Sequence, residues 1–349
     1  MKNTPIWADE NEIPFTQART KAAPVRDPLP PFINADVLMK DATIVPPPTI
    51  IEGLLHRESK MILGAASKSR KTWLLLWLGI AVANGDEWCG FQTFPGKVLY
   101  IDLEIGVPFV KTRLMKIAEA MKGPKLDNLD IWSLRGNGPT IESMIRELFQ
   151  RVEKGGYSMI IVDPIYKLLG GRDENKAGDI ALLCNELERM AAKTGAAVVF
   201  AGHFSKGNQS QKYSTDRISG SGVFSRDADA IMTLTRHTEE NCFTAEFTVR
   251  NFQEIKARVL ELQFPLMIVR TDLDPKDLDR GGPPSSEHLR LMLEILPDEG
   301  LKAVVWQKLA LTHGISKASF YRAKKKMIKM GAVTLVGDNW TPTRKGLEE

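Results

Sequence analysis

Residues 60–84 read Lys60-Met-Ile-Leu-Gly64-Ala-Ala-Ser-Lys-Ser-Arg70-Lys71-Thr72-Trp-Leu-Leu-Leu-Trp-Leu-Gly-Ile-Ala-Val-Ala-Asn84. A short apolar run ends in small residues, and a long apolar run, Trp73–Ala83, starts directly after Lys71-Thr72. Strand, loop, helix in that order is the setting of a phosphate-binding loop (P-loop). The N–H groups of the helix start face an anion, a lysine reaches the β- and γ-phosphates, and a hydroxyl ligates Mg²⁺. On this reading Gly64, Ala65, Ala66, Ser67, Lys68, Ser69, Arg70, Lys71 and Thr72 form the cradle, and Thr72 serves the metal. The usual pattern places glycine where Arg70 and Ala65 stand here, and Gly64 comes one position early. Alone, the segment also reads as a basic loop before a buried helix.

Three later strand ends narrow the choice. Met159-Ile-Ile-Val-Asp163 is an apolar run ending in an acid. In a buried parallel strand that carboxylate reaches the sheet's C-terminal edge, where it can hold Mg²⁺ through water. The plainer reading is an aspartate opening a turn before Pro164. Val98-Leu-Tyr-Ile-Asp-Leu-Glu104 ends likewise, and Glu104 there can activate a water; its plainer role is an acid ahead of the helix that Pro108 begins. Ala197-Val-Val-Phe-Ala-Gly-His203 delivers a histidine to the same edge. Three such ends in chain order point to a nucleotide-binding α/β domain.

Composition sets the frame. The 349 residues are 43% hydrophobic and 26% charged, which excludes collagenous, mucin-like or largely disordered classes. Three cysteines lie far apart without a CxxC, so neither a disulfide scaffold nor a cysteine-built zinc site is available, and a reducing compartment is expected. No apolar run reaches the ~18 residues of a membrane span, and the first residues lack an apolar signal core, so a cytoplasmic location is expected. Residues 1–47 are proline-rich and read as an arm with a short helix at Asn34–Met39. From 48 to 272 strands alternate with helices (Thr72–Asn84, Pro108–Met121, Ile141–Lys154, Ala177–Lys193), which implies a mostly parallel sheet. Later strands without helices, ending with Val259–Leu262, suggest an antiparallel extension. Residues 273–286 are rich in breakers and read as a linker to a second domain, 287–349.

That last domain is basic. Leu301–Lys345 carries ten Lys or Arg against one acid, Asp338, while the whole chain is only +4. Helices at Glu287–Leu296, Ala303–His313 and Lys317–Met330 precede a strand pair, Val333–Val336 and Trp340–Pro342: the pattern of a winged helix. Phe320, Ala323, Met327, Ile328 and Met330 form the core-facing stripe. Lys317, Arg322, Lys324, Lys325 and Lys326 are candidate DNA contacts, and Trp340 packs the wing. A small helical dimerisation or protein-interaction domain with a solvated lysine face fits the same pattern.

The loop, VLYIDLE, MIIVDPI and AGHFSKG followed by RISGSGVFSRDADAIMTL together resemble the RecA-like ATPases, and more narrowly the RepA-type hexameric helicases and AAA-labelled ATPases of plasmids and phages. The resemblance covers roughly Pro48–Leu262. It implies Glu104 as catalytic glutamate, Asp163 as metal ligand and His203 as γ-phosphate sensor. It also implies a DNA-facing loop at Ser205–Ser219 with Lys206, Lys212 and Arg217, and Arg250 near a neighbouring subunit's phosphates, with Arg217 and Arg226 in reserve. The activity implied is that of an ATP- and Mg²⁺-dependent DNA motor, a replicative helicase of a mobile element. It would act as a hexameric ring, with single-stranded DNA through the core, duplex at the winged helix and no membrane. Two alternatives stay open: an ATP-switched DNA-binding initiator without turnover, which Arg70 favours and Glu104 opposes, and an ATPase of a recombination or defence system.

Overall fold

Strand β1 (Lys60–Ala65) is buried along its whole length because helices cover both faces of its sheet. Met61 and Leu63 pack on one face and Ile62 on the other. Coverage on both sides is why these strands read as continuous apolar runs rather than alternating ones. The computed structural model describes residues 30–66, 69–174, 176–203, 222–278, 286–315 and 317–343. Two compact units, Met1–Val45 and Pro46–Glu349, make up the chain. In the first, the short helix spans Ala35–Lys40, one residue later than expected, with Asn34 Oδ1 accepting the Asp36 N–H at 2.9 Å.

In the second unit nine strands form one sheet. After β1 come β2 (Val98–Asp102), β3 (Leu129–Ser133), β4 (Met159–Asp163), β5 (Ala197–His203), β6 (Ala230–Arg236), β7 (Cys242–Val249), β8 (Arg258–Gln263) and β9 (Leu266–Arg270). Their spatial order is β9-β8-β7-β6-β1-β5-β4-β2-β3. From β6 to β3 all pairings are parallel; β7, β8 and β9 add the antiparallel extension. Helix α1 (Lys71–Asn84) is apolar all round and correspondingly buried on nearly every side. It ends at Gly85, whose φ of +80° suits glycine and whose N–H caps the Ala81 carbonyl at 2.7 Å. α2 (Val107–Ala120) packs beside α1, while α3 (Ile141–Arg151) and α4 (Ala177–Thr194) cover the other face. A short α5 (Val223–Asp227) leads into β6.

Strand β9 and two small hairpins, Thr49–Ile51 with Leu55–His56 and Glu87–Trp88 with Phe91–Gln92, were not expected from the sequence. The Phe264-Pro265 pair looks like a chain break, yet it is the turn that joins β8 to β9. The hairpin strands are too short to display alternation.

The C-terminal residues run α6 (Ser286–Glu294), β10 (Leu301–Lys302), α7 (Ala303–Thr312), α8 (Lys317–Met330), β11 (Val333–Val336) and β12 (Asn339–Pro342), with a sheet order β10-β12-β11. They have their own apolar cluster around Trp306 and Phe320, whose rings meet edge to face at 5.2 Å. Trp306 Nε1 donates to the Met292 carbonyl at 3.1 Å, which satisfies the indole inside the cluster. Phe320, Ala323 and Met327 face inward as expected; Ile328 and Met330 do not, being 45% and 38% exposed. Ile328 lies roughly 100° round the helix from Met327, and Met330 belongs to the last turn, beyond the cluster.

Candidate nucleotide-binding site

Registers bring the strand ends together. Ala65 pairs with His203, and Asp102 pairs with both Asp163 and Ser133. Thus Lys71, Thr72, Glu104, Asp163 and His203, which the sequence places at separate strand ends, line one cavity of about 580 Å³ at the N-terminus of α1. Ser67 and Lys68 of the expected cradle, and Lys206, Lys212 and Arg217 of the expected DNA-facing loop, lie outside the described residues.

Lys71 is the centre of the site. Its Nζ donates to the Ala65 and Ala66 carbonyls, both at 2.9 Å, and to His203 Nδ1 at 3.3 Å. Burial lowers its pKa to about 8 against the opposing pull of Asp163 and Glu104. His203 is shifted down as well, by burial first and by the Lys71 charge second, so its Nδ1 is an acceptor. Asp163 is buried and pushed up by desolvation; hydrogen bonds from the Tyr100 hydroxyl (2.7 Å) and from Thr72, with the Lys71 charge, work the other way. Ser69 closes the loop by donating from Oγ to the Ala66 carbonyl at 2.6 Å.

Arg70 stands where a P-loop usually has glycine, and its backbone explains the exchange. With φ +69° and ψ +16° it adopts the left-handed conformation that glycine takes at little cost. The chain path is kept, and the arginine carries the strain. Its guanidinium lies over the Phe264 ring at 5.6 Å, at the tip of the β8–β9 hairpin.

The sequence reading missed Asp102, which shapes the site without entering it. Its buried carboxylate accepts the N–H groups of Glu104 (3.1 Å), Ile105 (2.9 Å) and Gly106 (2.7 Å), and the Ser133 hydroxyl (2.8 Å). This pins the turn after β2 and leaves the Glu104 side chain exposed at the cavity mouth. Tyr100, Trp73 and Arg113 were missed too. Trp73 follows Thr72 directly, and Arg113 on α2 stacks over its ring at 5.1 Å, so the pair walls the outer side of the cavity. The proximity of Trp73 to the lysine and threonine was the signal available.

Other candidates lie elsewhere. Val249 pairs with Ala230 at the start of β6, so Arg250 sits at the sheet edge opposite the P-loop. There it contacts Asp229 (3.3 Å) and donates to the Arg226 carbonyl (2.6 Å); Arg226 itself is an exposed side chain on α5. On α8, Lys325 is exposed and Lys326 half-buried, and Arg322 reaches Ser319 Oγ at 3.4 Å. Lys324 Nζ lies 4.2 Å over the Trp340 ring, and burial lowers its pKa. Lys317 faces Glu239 and Glu240. Among the described residues no His, Cys, Asp and Glu cluster forms a ready-made metal cage, and no helix is long and apolar enough to cross a membrane.

The family described as AAA domain matches residues 28–209. Among solved structures the chain is similar to another ATPase domain, with 14% identity, coverage of 60% of this chain and 83% of that one, and a TM-score of 0.45. It is also similar to a KaiC-like protein from the hyperthermophilic archaeon Pyrococcus horikoshii OT3, with 14% identity, 63% and 93% coverage, and a TM-score of 0.44.

Proposed function

The chain belongs to the AAA domain family, and from that premise we propose that it is an ATP-hydrolysing DNA motor, a hexameric replicative helicase of a plasmid, phage or other mobile element. One observation carries this reading: Lys71, Thr72, Asp163, Glu104 and His203 converge on one cavity at a helix N-terminus. An ATPase needs each of them, and a structural loop needs none.

The chemistry is positioning plus electrostatics. Lys71, now satisfied by loop carbonyls, turns its charge to the β- and γ-phosphates. Thr72 and Asp163, already hydrogen-bonded to each other, are the oxygen donors that would hold Mg²⁺; two protein oxygens suit this ion, which keeps waters and phosphate oxygens for its other positions. When bound, Mg²⁺ neutralises phosphate charge. Glu104, held at the mouth by the Asp102 turn, orients the attacking water. His203 touches Lys71 and begins the segment leading to Lys206, Lys212 and Arg217, so it can relay phosphate occupancy to DNA. Trp73 and Arg113 offer the base a flat face.

The order α6-β10-α7-α8-β11-β12 supports reading residues 287–349 as a winged-helix DNA-binding domain, joined by 273–286 to an ATPase domain of 48–272 behind an arm of 1–47. Arg250, at the wrong edge to serve its own P-loop, fits a ring in which it serves a neighbour's.

The test is ATP hydrolysis with and without single-stranded DNA. Turnover that rises with DNA is expected. Nucleotide bound but never hydrolysed, with or without DNA, would leave an ATP-switched DNA-binding protein instead.

A further inference from the structure

The loop between β6 and β7, residues 237–241, is tied down more firmly than a hairpin tip requires. His237 is buried; its Nδ1 accepts the Glu239 N–H at 2.9 Å, which leaves Nε2 to donate to the Asp274 carbonyl at 3.0 Å. Thr238 N–H donates to the Asp277 carbonyl at 2.8 Å, and His237 forms a β-bridge with Leu278. The segment that leaves the core therefore returns onto this loop before it runs towards α6.

With its backbone so held, the loop presents two carboxylates to α8. Lys317 Nζ is 3.8 Å from Glu239 Oε1 and 3.7 Å from Glu240 Oε2. Lys317 opens α8, and the helix has no acid in its first turn. The two glutamates thus meet both the lysine and the positive end of the helix dipole. Beside them a cavity of about 610 Å³ is lined by Arg70, Arg236, Lys317 and Tyr321, so the P-loop arginine and the start of α8 border one space.

We propose that Glu239 and Glu240 stand on the N-terminal turn of α8 where a DNA phosphate would stand, so that docking of this helix on the core competes with its grip on duplex DNA. The inference rests on the DNA-binding reading of residues 287–349. Its chemistry is that of one cation with two suitors: Lys317 cannot neutralise the glutamates and a phosphodiester at once. Solvent-exposed ion pairs are individually weak, and a duplex presents a row of phosphates whose capture releases counterions. The contact is therefore one that DNA can displace. Displacement uncovers the cavity bordered by Arg70, and this gives DNA occupancy a route to the P-loop.

The experiment uses the full chain and a fluorescein-labelled duplex, followed by anisotropy at low and moderate salt. The double substitution Glu239→Gln, Glu240→Gln should tighten duplex binding about three- to tenfold while ATP affinity stays unchanged. In a second arm, Glu239→Cys and Lys317→Cys are bridged with a cleavable bis-maleimide; the native cysteines are buried. The bridged protein should bind duplex at least about tenfold more weakly than the same protein after cleavage. Equal duplex affinity for wild type and the double glutamine variant, with undiminished binding by the bridged protein, overturns the competition and leaves the DNA-binding module standing. Absence of duplex binding by wild type and variant alike at low salt overturns the DNA-binding reading, and the competition with it.

Discussion

Lys71 holds a charge that its surroundings only half support. Two carbonyls and a histidine nitrogen accept from it, but burial brings its pKa to about 8. A phosphate beside it would favour the cation, so nucleotide binding should be coupled to proton uptake near that pH. The sign follows: affinity is full below pH 8 and declines as pH rises through it. In the nucleotide-free protein the unfolded chain, with an ordinary lysine, binds more protons above pH 8, so stability rises with pH in that window. Calorimetry in two buffers of unlike ionisation enthalpy checks the first statement; proton-neutral binding at pH 8 would count against it. A second residue-scale expectation concerns Glu104. Glu104→Gln should keep ATP binding and lose about 10²- to 10⁴-fold in turnover; hydrolysis at the wild-type rate would reassign the water-activating role. These side chains were legible because each is the first polar group after an apolar run. Asp102 was not, since a carboxylate two positions before a better-placed one looks like part of the same strand end. Its four acceptor bonds exist only once β3 and the turn are in place.

At the scale of elements, the turn after β2 is a rigid arm whose rigidity comes from one carboxylate. Asp102→Asn keeps the size but exchanges a charged acceptor for an amide, and should cost roughly 1–3 kcal/mol of stability. Turnover should fall with Glu104 misplaced, while ATP affinity changes little. Denaturant unfolding and a kcat-against-KM comparison test both halves, and unchanged turnover would mean that Glu104 is positioned from elsewhere. The P-loop makes a matching point. Arg70→Gly removes a non-glycine residue from the left-handed region, a relief of about 1–2 kcal/mol per residue, and loses the contact with Phe264. ATP should still bind, and the melting temperature should not fall. The central strands were readable because burial on both faces writes them as apolar runs. β9 was hidden by Pro265, and α5 by its brevity. The inward stripe of α8 was over-read at Ile328 and Met330, because helical periodicity does not tell how far a small core extends along the helix.

For the molecule as a whole, the informative residue is one that its own site cannot use. Arg250 lies beyond the start of β6, while the P-loop follows the end of β1, so about 13 Å of strand separates their levels in the sheet. Sequence resemblance implied a phosphate partner for Arg250 but could not say on which edge the residue would emerge, because an antiparallel return reverses direction without changing composition. In its own chain Arg250 leans on Asp229, whose other oxygen accepts the Lys60 N–H at 2.9 Å. Removing the arginine therefore leaves Asp229 still hydrogen-bonded, and folding should survive. Arg250→Ala is expected to bind ATP normally and hydrolyse it poorly. Lys71→Ala is expected to be inactive through its own pocket. If each ATP is completed by an arginine from the next copy, mixing the two inactive proteins creates interfaces with an intact Lys71 on one side and an intact Arg250 on the other. Part of the activity should return, in proportion to the number of such interfaces, when hydrolysis is measured across mixing ratios at constant total protein. Light scattering with ATP, Mg²⁺ and single-stranded DNA supplies the companion measurement. A strict monomer under those conditions, with no recovery on mixing, would leave Arg250 as a local tether for Asp229 and α5.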